Sequence, residues 1–178
     1  MIELLLYFDK LLVILLNGIN IKVLDYLMIA SSLIGKFAAI WIFLSMLFLI
    51  YDKKNGKRLI ILLIASLAIM LAINFLIDSL YFKQRPYASI DNIRIITNLP
   101  KDSSFPSGHA ASSFIGAFLL SMFYKKFKFG FYTLAVLISV SRVYLAAHFP
   151  SDVIAGIAEG LIIGFIALKL EKQLIKLK

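Results

Sequence analysis

Three polar segments of this chain carry residue types that could together bind a phosphate ester and cleave it. Two arginines offer planar sets of N–H donors, and two histidines and an aspartate supply groups for proton and phosphoryl transfer. Because the set contains no carboxylate pair and no cysteine, it favours a phosphate site over a glycosidase, protease or metal site. The candidate residues are Lys83, Arg85, Ser107, Gly108, His109, Arg142, His148 and Asp152.

His148 is the candidate nucleophile of this set. Asp152 follows it by four residues at the beginning of a helix, a spacing at which a carboxylate can accept the imidazole N–H and fix the tautomer. The other ring nitrogen of His148 would then be free to attack phosphorus. His109 would donate a proton to the leaving oxygen and later activate the water that hydrolyses the phosphohistidine. An interfacial hydrogen-bond network of the same residues is the alternative.

The segment from Ser103 to His109 has the composition of a helix start that receives an anion. Pro106 can set the entry into the helix, Ser107 can cap it, and Gly108 allows a ligand to approach the backbone. The free N–H groups of the first turn would point at the ligand. The alternative is a plain helix cap beside an interfacial histidine.

A metal site is less favoured by the same residues. Two histidines and Asp152 could ligate zinc, but two adjacent arginines would oppose a cation. We therefore expect neither a metal nor another cofactor.

Composition predicts the surroundings of the site. Hydrophobic residues make up 61% of the chain and charged residues 16%, so the expected solvent is lipid rather than water. At about 20 residues per membrane helix, the chain has room for a single domain, residues 1–178, with five or six spans. The net charge of +9 lies in short clusters between apolar runs, which favours anionic lipid headgroups over nucleic acid as partners.

The predicted fold is all-α, a polytopic membrane helix bundle with five spanning helices and an N-terminal amphipathic or sixth helix. Residues 1–20 mix apolar residues with Glu3, Asp9, Lys10 and Asn17, as expected for an interfacial helix or a short first span. They lack the features of a removed signal peptide. The five predicted spans are Val23–Tyr51, Leu59–Phe82, His109–Tyr124, Phe129–Ala147 and Val153 to about Leu170.

Basic residues predict the orientation of the bundle. The clusters at residues 53–58, 125–128 and 169–178 fall at one end if the spans alternate, and the positive-inside rule places that end in the cytoplasm. The polar loop of residues 83–106 and the turns at His109 and His148 then share the outer face. We therefore expect the site to face the periplasm or cell exterior.

Ionisable residues within the spans need partners. We expect Glu159 to pair with Lys36 or with a buried polar group of another span, and Asp78 to pair with a cation such as Lys36. The last span also has three glycines at four-residue spacing, which predict close packing against a neighbouring helix. These are Gly156, Gly160 and Gly164.

Three motifs give the chain a resemblance to the type 2 phosphatidic acid phosphatase superfamily, over roughly residues 59–168. They are Arg85-Pro86; Pro106-Ser107-Gly108-His109; and Ser141-Arg142, five residues, His148, three residues, Asp152. The resemblance implies a metal-independent membrane phosphatase in which His148 is the nucleophile, Asp152 its orienting partner and His109 the general acid. The implied phosphate cradle consists of Arg85, Arg142, Ser107 and Gly108.

One position departs from the family pattern. Seven residues before Arg85, where the family usually has a lysine, this chain has Asp78. Lys83, two residues before Arg85, is a candidate to supply the missing cation from a different point of the backbone. The alternative is a site with one positive charge fewer.

The segment from Asn74 to Tyr87 and the small size of the chain resemble the bacterial undecaprenyl-diphosphate phosphatases of the bacitracin-resistance type, which also lack the usual lysine. The resemblance implies an enzyme of the bacterial inner membrane that acts on a lipid diphosphate at its outer face. Arg94 and Lys101 are candidates to bind the second phosphate, and solvated loop charges are the alternative.

Three other functions stay open. Lipid A 1-phosphatase and phosphatidylglycerophosphate phosphatase share this kind of site and differ in the groove for the lipid tail. A catalytically silent lipid-binding or transport protein could retain the phosphate cradle for headgroup recognition. Such a protein would need the arginines but not the two histidines and Asp152 at their present spacing.

Overall fold

Eight α-helices form from residues 2–176, the part of the chain that this computed structural model describes. Single 3₁₀ turns, Lys36–Ala38 and Lys125–Phe127, lead into the third and seventh helix. No strand occurs within residues 2–176, which confirms the predicted all-α class. Leu177 and Lys178, the end of the predicted basic tail, lie outside the described residues. The helices are α1 Ile2–Asn17, α2 Lys22–Gly35, α3 Ala39–Tyr51, α4 Lys53–Leu80, α5 Pro86–Ser89, α6 Gly108–Phe123, α7 Lys128–Tyr144 and α8 Pro150–Lys176.

Helix length and composition indicate a multi-pass membrane protein. Three stretches within the described residues are long and apolar enough to cross a membrane: Lys22–Tyr51, Lys53–Leu80 and Pro150–Leu174. The helix α6 is apolar but shorter, with 16 residues, and α7 has 17. The predicted count of five spanning helices, or six with α1, therefore stays a prediction.

The first of these stretches matches the span predicted from Val23 to Tyr51, but its helix is broken after Gly35. Phe37 and Ala38 have φ angles of 54° and 57°, in the left-handed region that residues with a Cβ atom rarely adopt. The packing of the residues that follow the break stabilises this left-handed conformation. Trp41 is fully buried against Gly116 of α6, where an added Cβ atom would lie 2.4 Å from the indole ring.

The helix α6 lies at the centre of the bundle, and small residues let α8 approach it closely. A Cβ atom added to Gly160 would lie 2.3 Å from the Ala111 carbonyl oxygen, and one added to Gly156 would lie 2.5 Å from that of Ser107. At Gly164 the added atom would lie 2.9 Å from the Phe118 ring. The predicted packing role of the three glycines is confirmed, and it fixes the start of α6 against the start of α8.

The helix α1 lies across the polar end of the bundle. Asp9 accepts hydrogen bonds from the backbone N–H and the hydroxyl of Ser151, in the first turn of α8. Asn17 donates to the Tyr144 and Arg94 carbonyls, each at 3.0 Å, so it meets the end of α7 and the long loop. Because both contacts are to the same end of the bundle, α1 covers that end.

The opposite end of the bundle carries the basic segments that the structure describes. Arg58, near the start of α4, forms an ion pair with Glu171 near the end of α8, with Nε 2.6 Å from Oε1. Asp52 caps α4 by accepting a hydrogen bond from the backbone N–H of Asn55 at 3.1 Å. The ring of Phe48 at the end of α3 stacks on Tyr124 at a centroid distance of 3.8 Å.

Of the predicted pairs within the spans, one forms and one does not. With the Asn74 amide oriented so that its nitrogen faces Glu159, that nitrogen donates to Oε1 at 2.9 Å and Oε2 at 3.2 Å. Of the predicted partners of Glu159, Lys36 or a buried polar group of another span, the second is confirmed as a polar group of another span, although Asn74 is only half-buried. The predicted pair of Asp78 with Lys36 is wrong, because no ion pair within residues 2–176 includes either one. Both residues line a cavity instead.

Candidate active site

A cavity of about 790 Å³ lies between α2, α4 and the loop after α4. Five of the eight predicted site residues line its polar part: Arg85, Gly108, His109, Arg142 and His148. The walls formed by α2 and α4 are largely apolar, with Ile29, Leu33, Leu67, Met70, Leu71 and Phe75. A cavity with one charged end and apolar walls fits a ligand that has an anionic head and an apolar tail.

The side chain of His148 is held in one tautomer. Its Nδ1 lies 2.6 Å from the Ser104 carbonyl oxygen, which can only accept, and its Nε2 lies 3.0 Å from Arg85 Nη1, which can only donate. Nδ1 therefore carries the proton, and Nε2 presents its lone pair. The residue lies in the turn between α7 and α8 and is only 3% exposed.

The same surroundings keep the imidazole of His148 neutral. Burial lowers the pKa of His148 well below its usual value of 6.5, and the positive charges of Arg85 and Arg142 lower this pKa further. The hydrogen bond to the Ser104 carbonyl acts in the opposite direction but is the weaker influence. A neutral imidazole whose Nε2 carries no proton is the form that can act as a nucleophile.

The guanidinium of Arg85 joins the long loop to the His148 turn. Nη1 donates to the Ala147 carbonyl at 2.8 Å as well as contacting His148. Nε and Nη2 donate to the carbonyl and the carboxylate of Asp102 at 3.0 and 2.9 Å, and Nη2 also donates to the Ser103 carbonyl at 2.9 Å. All the N–H groups of Arg85 are thus directed at acceptors within the protein, and its first role is to hold His148 in place.

The guanidinium of Arg142 is, in contrast, incompletely paired. It is 4% exposed and lines the cavity, and its Nη1 donates a short hydrogen bond to the Ser32 hydroxyl of α2. Its Nε has no hydrogen-bond partner among residues 2–176. A buried cation with a free donor at a cavity wall is prepared for an anionic ligand, because an unmet buried donor is costly without one.

The first turn of α6 supplies further donors. Ser107 occupies the N-cap position, but its hydroxyl is buried without a partner among residues 2–176, so the predicted capping hydrogen bond is absent there. Gly108 and His109 line the cavity, and the Nε2 atom of His109 has no partner within the same residues. The backbone N–H groups of this turn have no acceptor within the helix and are available to an anion.

Asp152 contacts Ser104 rather than the imidazole, which corrects the predicted hydrogen bond to His148. Its Oδ2 accepts from the Ser104 hydroxyl at 2.6 Å and from the Phe149 backbone N–H at 3.0 Å. The carboxylate turns back to the amide that precedes the helix because Asp152 is the third residue of α8, as in a capping box. It positions His148 indirectly, through the residue whose carbonyl holds Nδ1.

Lys83 lies behind the cavity wall and not in it. Its Nζ lies 2.6 Å from Asp152 Oδ1 and 3.2 Å from the Ser151 hydroxyl, and it also stands over the Phe149 ring at 4.7 Å. The predicted phosphate contact of Lys83 is therefore replaced by an ion pair with Asp152. The buried carboxylate attracts the ammonium because Asp152 is 0% exposed and has no other cationic partner among residues 2–176.

Neither residue expected to bind a second phosphate faces the cavity. Arg94 lies between α1, α2 and α7, where its Nη1 and Nη2 donate to the Asp25 carboxylate, each at 3.0 Å. That hydrogen-bonded carboxylate raises the pKa of Arg94, and the pair fixes the loop to the start of α2. Lys101 is exposed and does not line the cavity.

Two serines that contact the site were missing from the predicted set. Ser32 holds Arg142, and Ser104 holds both His148 and Asp152. A signal existed for Ser32, because a serine pair interrupts an otherwise apolar span at residues 31 and 32. Ser104 lies within the polar segment from Ser103 to His109. Its contact with His148 is made by the backbone carbonyl, which every residue has, so residue type does not predict it.

The donor set of the cavity is suited to an anion. Within residues 2–176 no group of three or more His, Cys, Asp or Glu side chains could hold a metal ion. Arginine donors, a helix start and a neutral histidine with an unprotonated Nε2 occur together at the end of a helical membrane bundle. Fold and site thus fit a membrane phosphatase as the class of protein.

Comparison with known proteins identifies the family. The sequence pattern of the PAP2 superfamily matches residues 59–176, and the chain belongs to this superfamily. This confirms the resemblance that the three motifs carry. The chain is 32% identical to an undecaprenyl-diphosphatase of Sulfolobus acidocaldarius over 158 residues, which cover 88% of this chain and 75% of the relative.

Two further relatives extend the likeness over nearly the whole chain. A lipid A 4'-phosphatase of Bacteroides thetaiotaomicron is 32% identical over 189 residues, covering 98% of this chain and 83% of the relative. The crystal structure of Aquifex aeolicus LpxE superimposes with a TM-score of 0.78 at 28% identity, covering 89% of this chain and 93% of that chain. The chain is thus similar to phosphatases with different named lipid substrates.

Proposed function

We propose that this protein hydrolyses the terminal phosphate of a lipid diphosphate, with undecaprenyl diphosphate as the favoured substrate, through a phosphohistidine at His148. The observation that carries the proposal is the position of His148, whose unprotonated Nε2 contacts Arg85 Nη1 at the wall of a cavity that has cationic donors at one end and apolar walls at the other. The enzyme would be located in a bacterial inner membrane, with its site at the outer face.

In the first chemical step, Nε2 of His148 attacks the terminal phosphorus, and the bond to the leaving oxygen breaks. Arg142 and the N–H groups at the start of α6 hold the phosphoryl oxygens as charge develops on them. Arg85 Nη1, which contacts Nε2 in the free protein, passes to a phosphoryl oxygen when Nε2 bonds to phosphorus. His109 is placed to give a proton to the leaving oxygen.

In the second step, water attacks the phosphohistidine. His109, now unprotonated, removes a proton from this water, and the N–P bond breaks to return neutral His148 and inorganic phosphate. Ser104 and Asp152 keep the imidazole oriented through both steps. No step of this mechanism needs a metal ion.

The apolar walls support a long-chain substrate. On α4 the residues that line the cavity from Leu67 to Phe75, over about two helical turns, are apolar except for Asn74. An isoprenoid or acyl tail would bury its apolar surface there at about 25 cal/mol per Å². The Sulfolobus relative, named for undecaprenyl diphosphate, supports the prenyl lipid as the first choice.

Lipid A is the second candidate substrate class. The Bacteroides relative is named a lipid A phosphatase and matches almost the full length of this chain. A lipid A 1-phosphatase or a phosphatidylglycerophosphate phosphatase would use the same phosphate end of the cavity. A silent lipid-binding protein is less consistent with the site, because binding alone does not require a neutral histidine with an unprotonated Nε2 at the cavity wall.

A substrate panel tests the proposal. Purified protein in detergent with EDTA is assayed for phosphate release from undecaprenyl diphosphate, lipid A, phosphatidylglycerophosphate and phosphatidic acid. We expect the highest kcat/KM for undecaprenyl diphosphate, no release by His148→Ala, and competitive inhibition by vanadate, which mimics five-coordinate phosphorus. A requirement for added magnesium, or unchanged release by folded His148→Ala, would refute the mechanism.

The absence of cysteine from the chain allows a direct test of orientation. A cysteine introduced at Lys101, in the exposed loop at the site end, should react with a membrane-impermeant maleimide added outside intact cells. A cysteine at Lys126, in the basic turn at the opposite end, should react only after lysis. The reverse pattern would place the site in the cytoplasm.

A further inference from the structure

Lys36 is a cation in the wall of the active-site cavity that the mechanism above does not use. It follows the last residue of α2 and lines the cavity together with Arg142, His109 and Asp78. Within residues 2–176 it forms no ion pair, and its Nζ lies over the ring of the adjacent Phe37 at 5.2 Å from the centroid. Its charge is therefore available to a ligand in the cavity.

The last turn of α2 places Lys36 close to the phosphate end. Ser32, one helical turn earlier and so on the same face, bonds the guanidinium of Arg142. A Cβ atom added to Gly35 would lie 3.4 Å from Cδ2 of His109. The backbone of Lys36 therefore lies close to His109, the proton donor of the proposed reaction.

The backbone at this point is strained, which suggests that the break serves a function. Left-handed conformations at residues other than glycine are costly, and Phe37 and Ala38 adopt them in succession. An uninterrupted helix would have avoided this cost. The break ends α2 at the cavity, so that Lys36 stands at the negative end of the helix dipole with its side chain in the cavity wall.

The other candidate cations are already occupied or lie elsewhere. Lys83 is paired with Asp152, Arg94 with Asp25, and Lys101 lies outside the cavity wall. On the α4 side the cavity wall carries the carboxylate of Asp78, which would repel a second phosphate. The α2 side, with Lys36, is therefore where a second anionic group of the substrate is most stable.

We propose that Lys36 binds the inner phosphate of a lipid diphosphate and stabilises it as the leaving group, so that the enzyme favours diphosphates over monophosphates. This inference rests on the proposed function and specifies its substrate class. This chain has Asp78 where the family usually has a lysine. In this proposal Lys36, which lies outside the three sequence motifs, supplies that positive charge.

The chemistry of the leaving group gives Lys36 its role. When His148 Nε2 bonds to the terminal phosphorus, the bond to the bridging oxygen breaks and its electron pair stays on that oxygen, which remains attached to the inner phosphorus. The product is a lipid monophosphate with a second pKa of about 6, so it still carries negative charge after His109 has given a proton to the bridging oxygen, and its departure depends more on a nearby cation than on that proton. A lipid monophosphate instead expels an alkoxide, which needs the proton of His109.

Two substrates with the same tail distinguish the need for a cation from the need for a proton. Farnesyl diphosphate and farnesyl monophosphate share one tail and differ in the leaving group, and each is assayed with wild-type protein, Lys36→Met, Lys36→Arg and Lys101→Met. We expect Lys36→Met to lower the ratio of kcat/KM for diphosphate over monophosphate roughly tenfold to hundredfold, the range for losing one charged contact. Lys36→Arg should retain most of the ratio, and Lys101→Met should leave both rates unchanged.

The alternative outcomes are distinguishable. An unchanged ratio in folded Lys36→Met, whether both rates fall together or neither falls, would overturn the role of Lys36, since a purely structural lysine affects both substrates alike. Circular dichroism in detergent shows that the variant is folded, and Lys36→Arg gives a second reading if it is not. Failure of the wild-type protein to release phosphate from either farnesyl substrate or from undecaprenyl diphosphate would instead refute the proposed function itself.

Discussion

Replacing Lys83 by methionine should weaken the fold and slow turnover without weakening phosphate binding. Lys83 Nζ lies 2.6 Å from Asp152 Oδ1, and the two side chains are 19% and 0% exposed. Removal of one partner from a buried ion pair costs roughly 3–5 kcal/mol, because the other charge stays buried. Since Lys83 is partly exposed and Asp152 keeps two other hydrogen-bond donors, we expect a loss of about 2–3 kcal/mol.

A double-mutant cycle isolates the interaction between the two residues. Asp152→Asn in the Lys83→Met background removes the stranded charge, so the double variant should be more stable than the sum of the single losses by roughly 1–2 kcal/mol. The four proteins are compared by unfolding in mixed micelles with increasing SDS, followed by circular dichroism. Losses that simply add would refute the ion pair.

Kinetics of the same Lys83→Met variant distinguish a positioning residue from a phosphate ligand. The loss should fall on kcat, because Asp152 acts through Ser104 on the orientation of His148, while KM and the vanadate inhibition constant stay near their wild-type values. The exposed Lys101→Met provides the matched control. A raised vanadate constant with unchanged stability would show that Lys83 contacts phosphate after all.

Two further predictions concern packing and protonation. Gly160→Ala should destabilise the bundle by about 1–3 kcal/mol, because its Cβ atom would lie 2.3 Å from the Ala111 carbonyl. Gly130→Ala, where nothing lies within 4 Å of the added atom, should stabilise α7 by about 0.5–1 kcal/mol, and SDS unfolding of both variants tests the difference. Because burial and the charges of Arg85 and Arg142 lower the pKa of His148, its imidazole should stay neutral in acidic buffer where an ordinary histidine is protonated. Nitrogen NMR of histidine-labelled protein should then show protonated Nδ1 and bare Nε2, and an imidazolium signal would contradict this.

Local sequence patterns were sufficient to predict the features that depend on residue type and spacing. Four-residue spacing of small residues predicted the α6–α8 packing, which forms at Gly156, Gly160 and Gly164. The cost of a carboxylate in a span predicted a polar partner for Glu159, which is Asn74. Turn residues predicted a helix after Ser107, and α6 begins at Gly108, one residue before the predicted span from His109.

Features that depend on three-dimensional packing were not predictable in this way. The break after Gly35 has no proline and falls in an apolar run, and it is held by the burial of Trp41 against α6. Because of this break, Lys36 lines the cavity and does not lie among packed helices with Asp78 or Glu159. Sequence hydropathy alone gives a single span for this stretch.

The sequence also could not predict which partners the charged groups bind. Spacing allowed Asp152 to reach either the imidazole or the turn that precedes α8, and the backbone amide of Phe149 is the nearer donor. Arg94 lies in the loop where a phosphate contact was expected, but Asp25 of α2 is there to bind it. Such choices depend on which elements meet, and that is fixed by the fold as a whole.

Detection of the covalent intermediate tests the role of His148 most directly. Protein incubated with undecaprenyl diphosphate that carries ³²P in its terminal phosphate, and quenched in alkali during turnover, should retain label in an acid-labile, alkali-stable bond. We predict that peptide mapping will place this label on His148, and that His148→Ala will carry none. Label on His109, or steady turnover by the His148→Ala protein with no labelled enzyme, would contradict the assignment of His148 as the nucleophile.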